Sequence, residues 1–293
     1  MKNIIVILLL FFTALRMPVK AQASSDEPTI LWLSSGVATV QTFRKLKATD
    51  TPIDTNNMLL NRLPHLKFNF QTVPSARMEK TMDTHQFVCA TNRLKTLQRS
   101  KKYLYSQPLN LYLGFRLYSL KDNGTMPKQL LNSQQQLVSL KDMFEHFSER
   151  RLGVSRGRSF GQTLDAQIAA LDPRNVIVHS GLGSLHSLLA MLLKKRVEYV
   201  LEFPVELSNS KLKSKMDVLL NSYEIAGSER YFVGHVTCKD NEKMRQVMAQ
   251  INEQLNKMYT TDEFYLAHVN YLRKSDIEQF DKYFKQVFIP SKN

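Results

Sequence analysis

The sequence predicts an α/β protein made of two successive units, each a mostly parallel sheet flanked by helices. Three observations carry that expectation. From Thr29 to Cys89, apolar runs of strand length alternate with stripes of helical spacing, and such βαβα order implies parallel strands with covering helices. The same alternation restarts after a polar loop at 123–136 and continues to Pro204. Between Phe87 and Leu109, FVCATNRLKTLQRSKKYLYSQPL reads as strand, polar turn, short basic helix and exit strand, the layout of a ligand loop at the carboxyl end of a strand.

Taken in order, Met1 to Ala23 combines Lys2, an apolar run from Ile4 to Leu15 and the small-x-small triplet Ala21-Gln22-Ala23, the parts of a secretory signal cleaved near Ser24. The run is short for a bilayer, and no cysteine follows the triplet to take a lipid. An exported, periplasmic protein is expected, with an uncleaved anchor as the alternative because Arg16 and Lys20 interrupt the pattern. The remaining chain is long enough for one large or two ordinary domains.

Thr29 to Ser34, containing Trp32, reads as the first strand. Met58, Leu59, Leu60 and Leu63 form a helical stripe, and Leu66, Phe68, Phe70 and Thr72 alternate as a strand. A helix over Ser75 to Met82 and the Phe87 strand follow. Pro108 ends any helix before it, and Leu111 to Leu117 reads as the crossing into the second unit. There the spacing predicts a helix over Leu140 to Phe147 with Ser139 as N-cap, a strand over Leu152 to Ser155, a helix over Phe160 to Leu171, and a strand over Val176 to Val178. A helix over Ser184 to Leu193 and a strand over Glu198 to Phe203 complete the unit. Tyr231 to Cys238 returns the chain to the first unit. Asp240 is a candidate N-cap for a helix whose stripe is Met244, Val247, Met248, Ile251, Leu255 and Met258, and Ile277 to Phe288 is the last helix.

The formal net charge is +14, which attracts anionic solutes, wall polymers or membranes by field alone. The charge falls in short separate clusters (Lys45/Lys47, Lys101/Lys102, Arg150/Arg151, Lys194 to Arg196, Lys211 to Lys215). There is no dense basic tract with interleaved aromatics, so nucleic acid is disfavoured.

Strand ends at Ser34/Ser35, Val73 to Arg77 and Thr91/Asn92 converge on one crevice if the sheet is parallel. A strand-end loop followed by a fixed arginine, here Arg99, suits a carboxylate, because guanidinium offers a planar two-donor fork; the plainer reading is a solvated arginine on a basic helix. Arg77 at the crevice mouth and Arg158 in the second unit make three guanidiniums around one cleft. If all face inward the ligand is acidic; one or two in wall-side ion pairs is the alternative. Ser184 and His186 lie two residues apart, which does not bring them together on a helix, and a Gly-x-Ser-x-Gly elbow is missing, so a hydrolase is disfavoured. The seven histidines lack metal-ligand spacing. No dinucleotide or phosphate-loop pattern occurs, and no cofactor is expected.

The order of small polar residues at 90–92, Thr96, Arg99 three residues later, and then Tyr105-Ser106-Gln107-Pro108 resembles the first-lobe ligand loop of periplasmic solute-binding proteins of the polar amino-acid type, family 3-like, with the type II periplasmic-binding fold. The resemblance implies two lobes joined by two crossing strands as a hinge, near Pro108 to Tyr112 and Ser228 to Gly234. The segments would be 1–23 signal, 24–108 first lobe, 109–230 second lobe and 231–293 return to the first lobe. It implies a ligand site of Thr91, Asn92, Thr96, Arg99 and Arg77, with Trp32 nearby. The second lobe would add Ser159 and Arg158 from the turn Ser155 to Gly161, which resembles the family's Gly-Thr/Ser loop, where backbone N–H groups hold an anion; the alternative there is an ordinary strand-to-helix turn.

Two departures stand out. A serine common in the first-lobe loop is replaced by Leu94, and the second-lobe acid that receives an α-amino group falls at Glu202 or Phe203. In the resembled fold the return strand lies beside the strand before the ligand loop, so Cys89 and Cys238 would be either bridged or two buried free thiols. The implied function is capture of a small, anionic solute (an amino acid or organic acid) by a monomer without enzymatic activity, for an ABC-type transporter or a membrane sensor. The runner-up is a sensory or scaffold protein of the same fold with a degenerate cleft, binding a protein or polyanionic wall partner.

Overall fold

The structure, a computed structural model, describes residues 27–35, 50–181, 184–208 and 218–289. The signal segment at 1–23, Lys45, Lys47 and the cluster Lys211 to Lys215 lie outside them, as do the side chains of Ser184 and His186.

The expected alternation produces two five-stranded sheets. In the first, β1 (Ile30–Ser34) runs parallel to β2 (Phe68–Thr72) on one side and β3 (Val88–Leu94) on the other. The returning strand β10 (Tyr231–Lys239) then inserts antiparallel between β3 and β4 (Tyr103–Leu113), giving the order β2-β1-β3-β10-β4. The second sheet repeats the plan. Here β6 (Leu152–Ser155) is parallel to β7 (Val176–His179) and β8 (Tyr199–Glu202), while β5 (Arg116–Leu120) is antiparallel to β8 and to β9 (Leu220–Glu224), in the order β7-β6-β8-β5-β9.

Helices cover both sheets: α1 (Thr51–Asn61), α2 (Ser75–Thr84), α3 (Leu97–Ser100), α4 (Leu140–His146), α5 (Gln162–Ala169), α6 (Ser184–Leu193), α7 (Pro204–Ser208), α8 (Glu242–Met258), α9 (Asp262–Val269) and α10 (Lys274–Phe288). On α8 all six residues of the predicted stripe are buried, each contributing roughly 1.5–3 kcal/mol relative to exposure. Its N-cap is Asn241 rather than Asp240: the Asn241 side chain accepts from Met244 N–H at 2.9 Å, while Asp240 pairs with Arg245. Ser139 caps α4 as expected, accepting from Asp142 N–H at 3.0 Å. Two elements had no strong periodic signal: β9, half-exposed along most of its length, and α9, whose apolar residues are spread around its axis.

The chain crosses between the sheets at Gly114 and again at Glu229–Arg230. The first crossing comes later than 108–112 because β4 stays paired with β10 as far as Leu113, opposite Tyr231. Gly114 N–H donates to Arg230 O at 2.8 Å, and a side chain at 114 would run into the carbonyl of Glu229, so glycine permits the two crossings to lie side by side. Cys89 and Cys238 face each other in the β3–β10 register and are joined as a disulfide. Trp32 belongs to the interior: it is 0 % exposed and meets Phe68 edge-on at 5.3 Å, so it packs the first sheet and does not line the cleft.

Candidate functional site

A cleft of about 940 Å³ lies between the two sheets, lined on one side by the loop after β3 and α3, on the other by the turn after β6 and the start of α5, and along its back by the second crossing and β10.

The first wall follows from how β3 ends. The segment expected to be a polar turn stays in the strand through Leu94, but Asn92 adopts a left-handed backbone (φ 56°), which turns its side chain into the hinge. There its Oδ1 accepts from Asn110 Nδ2 at 3.1 Å and Tyr112 Oη at 2.9 Å. Thr91 donates to Asn56 Oδ1 at 2.7 Å and is buried. These two residues thus hold the network beneath the cleft. Thr96 caps α3 by accepting from Arg99 N–H at 3.2 Å, which fixes the root of Arg99.

The Arg99 side chain, 11 % exposed, donates from Nε to Glu79 Oε1 at 2.9 Å. It also reaches Leu94 O at 3.4 Å and, across the cleft, Gly157 O at 3.2 Å. Behind it Arg93 approaches the same carboxylate at 3.7 Å. Burial, then the neighbouring Arg99 charge, lowers the Arg93 pKa to about 10, and its Nη2 has no hydrogen-bond partner. Lys95 and His235 also line this wall. Burial holds the His235 pKa below the ordinary value, and Lys95 adds to that.

The second wall is built on the turn Ser155 to Gly161. Gly157 is left-handed (φ 73°), and a side chain there would strike the backbone of Ala76, so the turn rests directly on the start of α2. Arg158 turns into the wall: its Nη1 and Nη2 bind the two oxygens of Glu202 at 2.7 and 2.6 Å. The guanidinium lies 5.2, 5.7 and 5.4 Å from the rings of Phe115, Phe160 and Phe203. Burial opposes the Arg158 charge, but Glu202 more than offsets it and raises the pKa. Ser159 donates to Asp165 Oδ2 at 2.6 Å, and Asp165 Oδ1 accepts from Phe160 N–H at 2.7 Å. Glu229 accepts from Gln162 N–H at 2.9 Å. Beside this wall stands Glu206 of α7; burial, then the Glu202 and Asp50 carboxylates, pushes its pKa up to about 8.

Of the residues expected at the site, Thr96, Arg99, Arg158 and Ser159 line the cleft together. Arg77 is exposed on the first turn of α2 and is not among the residues lining the cleft. Neither Glu202 nor Phe203 is among the residues lining the cleft: Glu202, 1 % exposed, ends β8 and binds Arg158, while Phe203 stacks on Phe115 at 3.8 Å and Tyr112 at 4.8 Å. Glu79, Lys95, Asp165, Glu229 and His235 line the cleft without having been expected there. Glu79 could have been found: Met78 and Met82 fix the buried face of α2, and Glu79 falls beside it. Glu229 had no local signal, since only the crossing brings it to α5.

No family model matches the chain, and no curated protein matches it. Solved structures do resemble it. One is a substrate-binding protein of an ABC uptake transporter from Streptococcus pneumoniae with bound histidine, 15 % identical, with 82 % of this chain and 90 % of that one covered at a TM-score of 0.59. Another is an ancestral arginine-binding protein bound to arginine, 15 % identical over 84 % of this chain and 98 % of that one, TM-score 0.58. A histidine kinase sensor domain with similarity to periplasmic binding proteins is 9 % identical over 83 % of this chain and 96 % of that one, TM-score 0.58. With two sheets of like topology, two crossings and the cleft between them, the chain has the two-lobed type II periplasmic-binding fold.

Proposed function

We propose that the protein is an exported, monomeric solute-binding protein without enzymatic activity that captures a small anionic solute, an amino acid or organic acid, between its lobes for an ABC-type transporter or a membrane sensor. The observation that carries this reading is Arg99: its backbone is fixed by Thr96, and its guanidinium touches both walls of a cleft of solute size. A solute contacting Arg99 and Thr96 on one lobe and the Ser159 turn on the other stabilises closure because both lobes hold it at once. The likeness to substrate-binding proteins that carry histidine or arginine supports solute capture. No helix among the described residues is long and apolar enough to cross a membrane.

The test is a thermal-shift screen of the chain from Ser24 against amino acids, dicarboxylates, other organic acids, short peptides and sugar acids, repeated on Arg99→Ala. A solute at a hundred times its dissociation constant adds roughly 2.7 kcal/mol of stability, and the shift disappears in the variant. A flat screen on folded protein overturns solute capture.

A second reading has its own observation: Arg99 and Arg158 are both already held by carboxylates of the chain. A sensory or scaffold protein with a degenerate cleft would show that arrangement, and the likeness to a kinase sensor domain fits it. It predicts no solute shift and salt-sensitive binding to polyanions.

A further inference from the structure

We infer that Arg158 is a built-in occupant of a cation-binding box in the second lobe, and that by filling it the side chain restricts the cleft to small carboxylates that lack an amino group. This rests on the solute-capture reading above and narrows its substrate class.

The box has the chemistry that takes an organic cation. One carboxylate, Glu202, is almost wholly buried, and three aromatic rings surround the position of the charge. The rings are themselves packed together: Phe203 stacks on Phe115 at 3.8 Å, and Phe232 meets Phe115 at 5.0 Å. Arg158 supplies the cation from within the chain in a two-bond fork. Both Glu202 oxygens are engaged by it, and one also accepts from Phe203 N–H at 3.0 Å.

Hydrogen-bond accounting extends the point to the other acids of that wall. An entering ammonium brings three N–H donors and needs acceptors. Asp165 has both oxygens engaged, by Ser159 and by Phe160 N–H. Glu229 gives one oxygen to Gln162 N–H, and its other oxygen is shut away from solvent, packed beside Gly161 and Phe232. The second lobe therefore offers an amino group no carboxylate free of an internal partner, and Asp165 could accept only through the lone pairs that Ser159 and Phe160 N–H leave over.

The first wall is rich in donors instead. Arg99 uses three of the five N–H groups that a guanidinium carries, Arg93 stands behind it, and Lys95 lines the cleft beside it. Against these three cations the wall sets Glu79. A carboxylate meets donors there. An amino group on the same solute would have to compete with Arg99 and Arg93 for Glu79 or be desolvated unpaired, and either costs free energy.

The experiment uses matched pairs of acids, 2-oxoglutarate with glutamate and succinate with aspartate, titrated calorimetrically into the chain from Ser24. The same probes, with methylguanidinium added, are read by thermal shift on the parent, Arg158→Ala and Arg158→Gln. The parent is expected to prefer the acid without the amino group by roughly tenfold or more. Millimolar methylguanidinium should raise the melting temperature of Arg158→Ala, whose box is vacated, and leave the parent unchanged. Arg158→Gln, which keeps bulk and a donor in the box, is the filled-box control and should not respond; if the alanine variant does not fold alone, its recovery on refolding in methylguanidinium supplies the comparison.

Equal binding of glutamate and 2-oxoglutarate by the parent overturns the inference while leaving solute capture standing. A folded Arg158→Ala indifferent to methylguanidinium, or an unfolded one that methylguanidinium does not recover, overturns the box. No response to any acid overturns solute capture and the substrate class with it, and the methylguanidinium arm still reports on the box alone.

Discussion

On the first lobe two guanidiniums share one carboxylate that is 44 % exposed, whereas on the second a single guanidinium is matched to one carboxylate that is 1 % exposed. Both arrangements stand at the ends of parallel strands in sheets of the same topology, so the difference lies in burial and stoichiometry rather than in fold. A half-exposed carboxylate can be displaced from an arginine at small cost, because water solvates what is released. A buried one cannot, because loss of its partner leaves an uncompensated charge in a low-dielectric wall. The first wall is thus suited to exchanging its partner for a solute, and the second to holding shape. The lobes differ in their staples too: the first sheet carries the Cys89–Cys238 bridge, while the described part of the second relies on packing and the Arg158–Glu202 pair.

The largest effect should come from the buried pair. Glu202→Ala strands the Arg158 charge among three phenylalanine rings and is expected to cost about 3–5 kcal/mol in urea unfolding; Glu79→Ala on the exposed counterpart should cost about 1 kcal/mol or less. Equal losses would break the contrast between the walls. Next comes the disulfide: it closes a loop of 149 residues, so the double variant Cys89→Ala/Cys238→Ala should lose about 2–5 kcal/mol. Unfolding of the reduced parent should match that variant.

Of similar or smaller size is an acid-side effect at His268, in the first lobe. The ring accepts from Leu111 N–H and donates to Phe264 O among phenylalanine side chains, and burial lowers its pKa to about 4. The unfolded chain binds the proton near pH 6.5 and the folded chain near 4, so stability is complete above 6.5 and lost as pH falls between the two. The loss is about 3 kcal/mol and should be absent in a folded His268→Gln variant. Glu206, beside the second wall, has the opposite sign. Its folded pKa is raised to about 8, so its contribution is present below the unfolded value near 4.5 and is lost as pH rises through 8. Glu206→Gln should flatten stability over that window. The smallest effect is Asn241→Ala at the cap of α8, about 1 kcal/mol, measured by urea midpoint at unchanged slope.

Much of this architecture was legible because periodicity is a local property. The α8 stripe and the apolar residues of 199–203 are buried where their spacing puts them, Phe68 and Phe70 are partly buried on one side of their strand, and of the run Phe87-Val88-Cys89 the last two are buried while Phe87 is exposed. Helix caps were readable to within a residue, Ser139 correctly and Asp240 one position early, because adjacent Asp and Asn both suit a cap and only the path of the chain selects between them. Thr96 and Arg99 were paired by the resemblance alone; that Thr96 caps the turn carrying Arg99 is seen only in the structure. Asn92 and Thr91 were read as cleft residues but serve the hinge network. Asn92 is left-handed inside a strand; asparagine is among the residues that visit that region most readily, but its type does not say which position of a strand will do so.

By itself, then, the sequence determined the α/β class, the two-unit order, and the polar and basic residues gathered after the third strand, all consequences of spacing and local backbone preference. Tertiary structure alone decided which charges meet. Glu79 reaches Arg99 across 20 positions and Glu202 reaches Arg158 across 44. Ion pairing depends on distance in space and on the water excluded between partners, and neither is written in the neighbours along the chain.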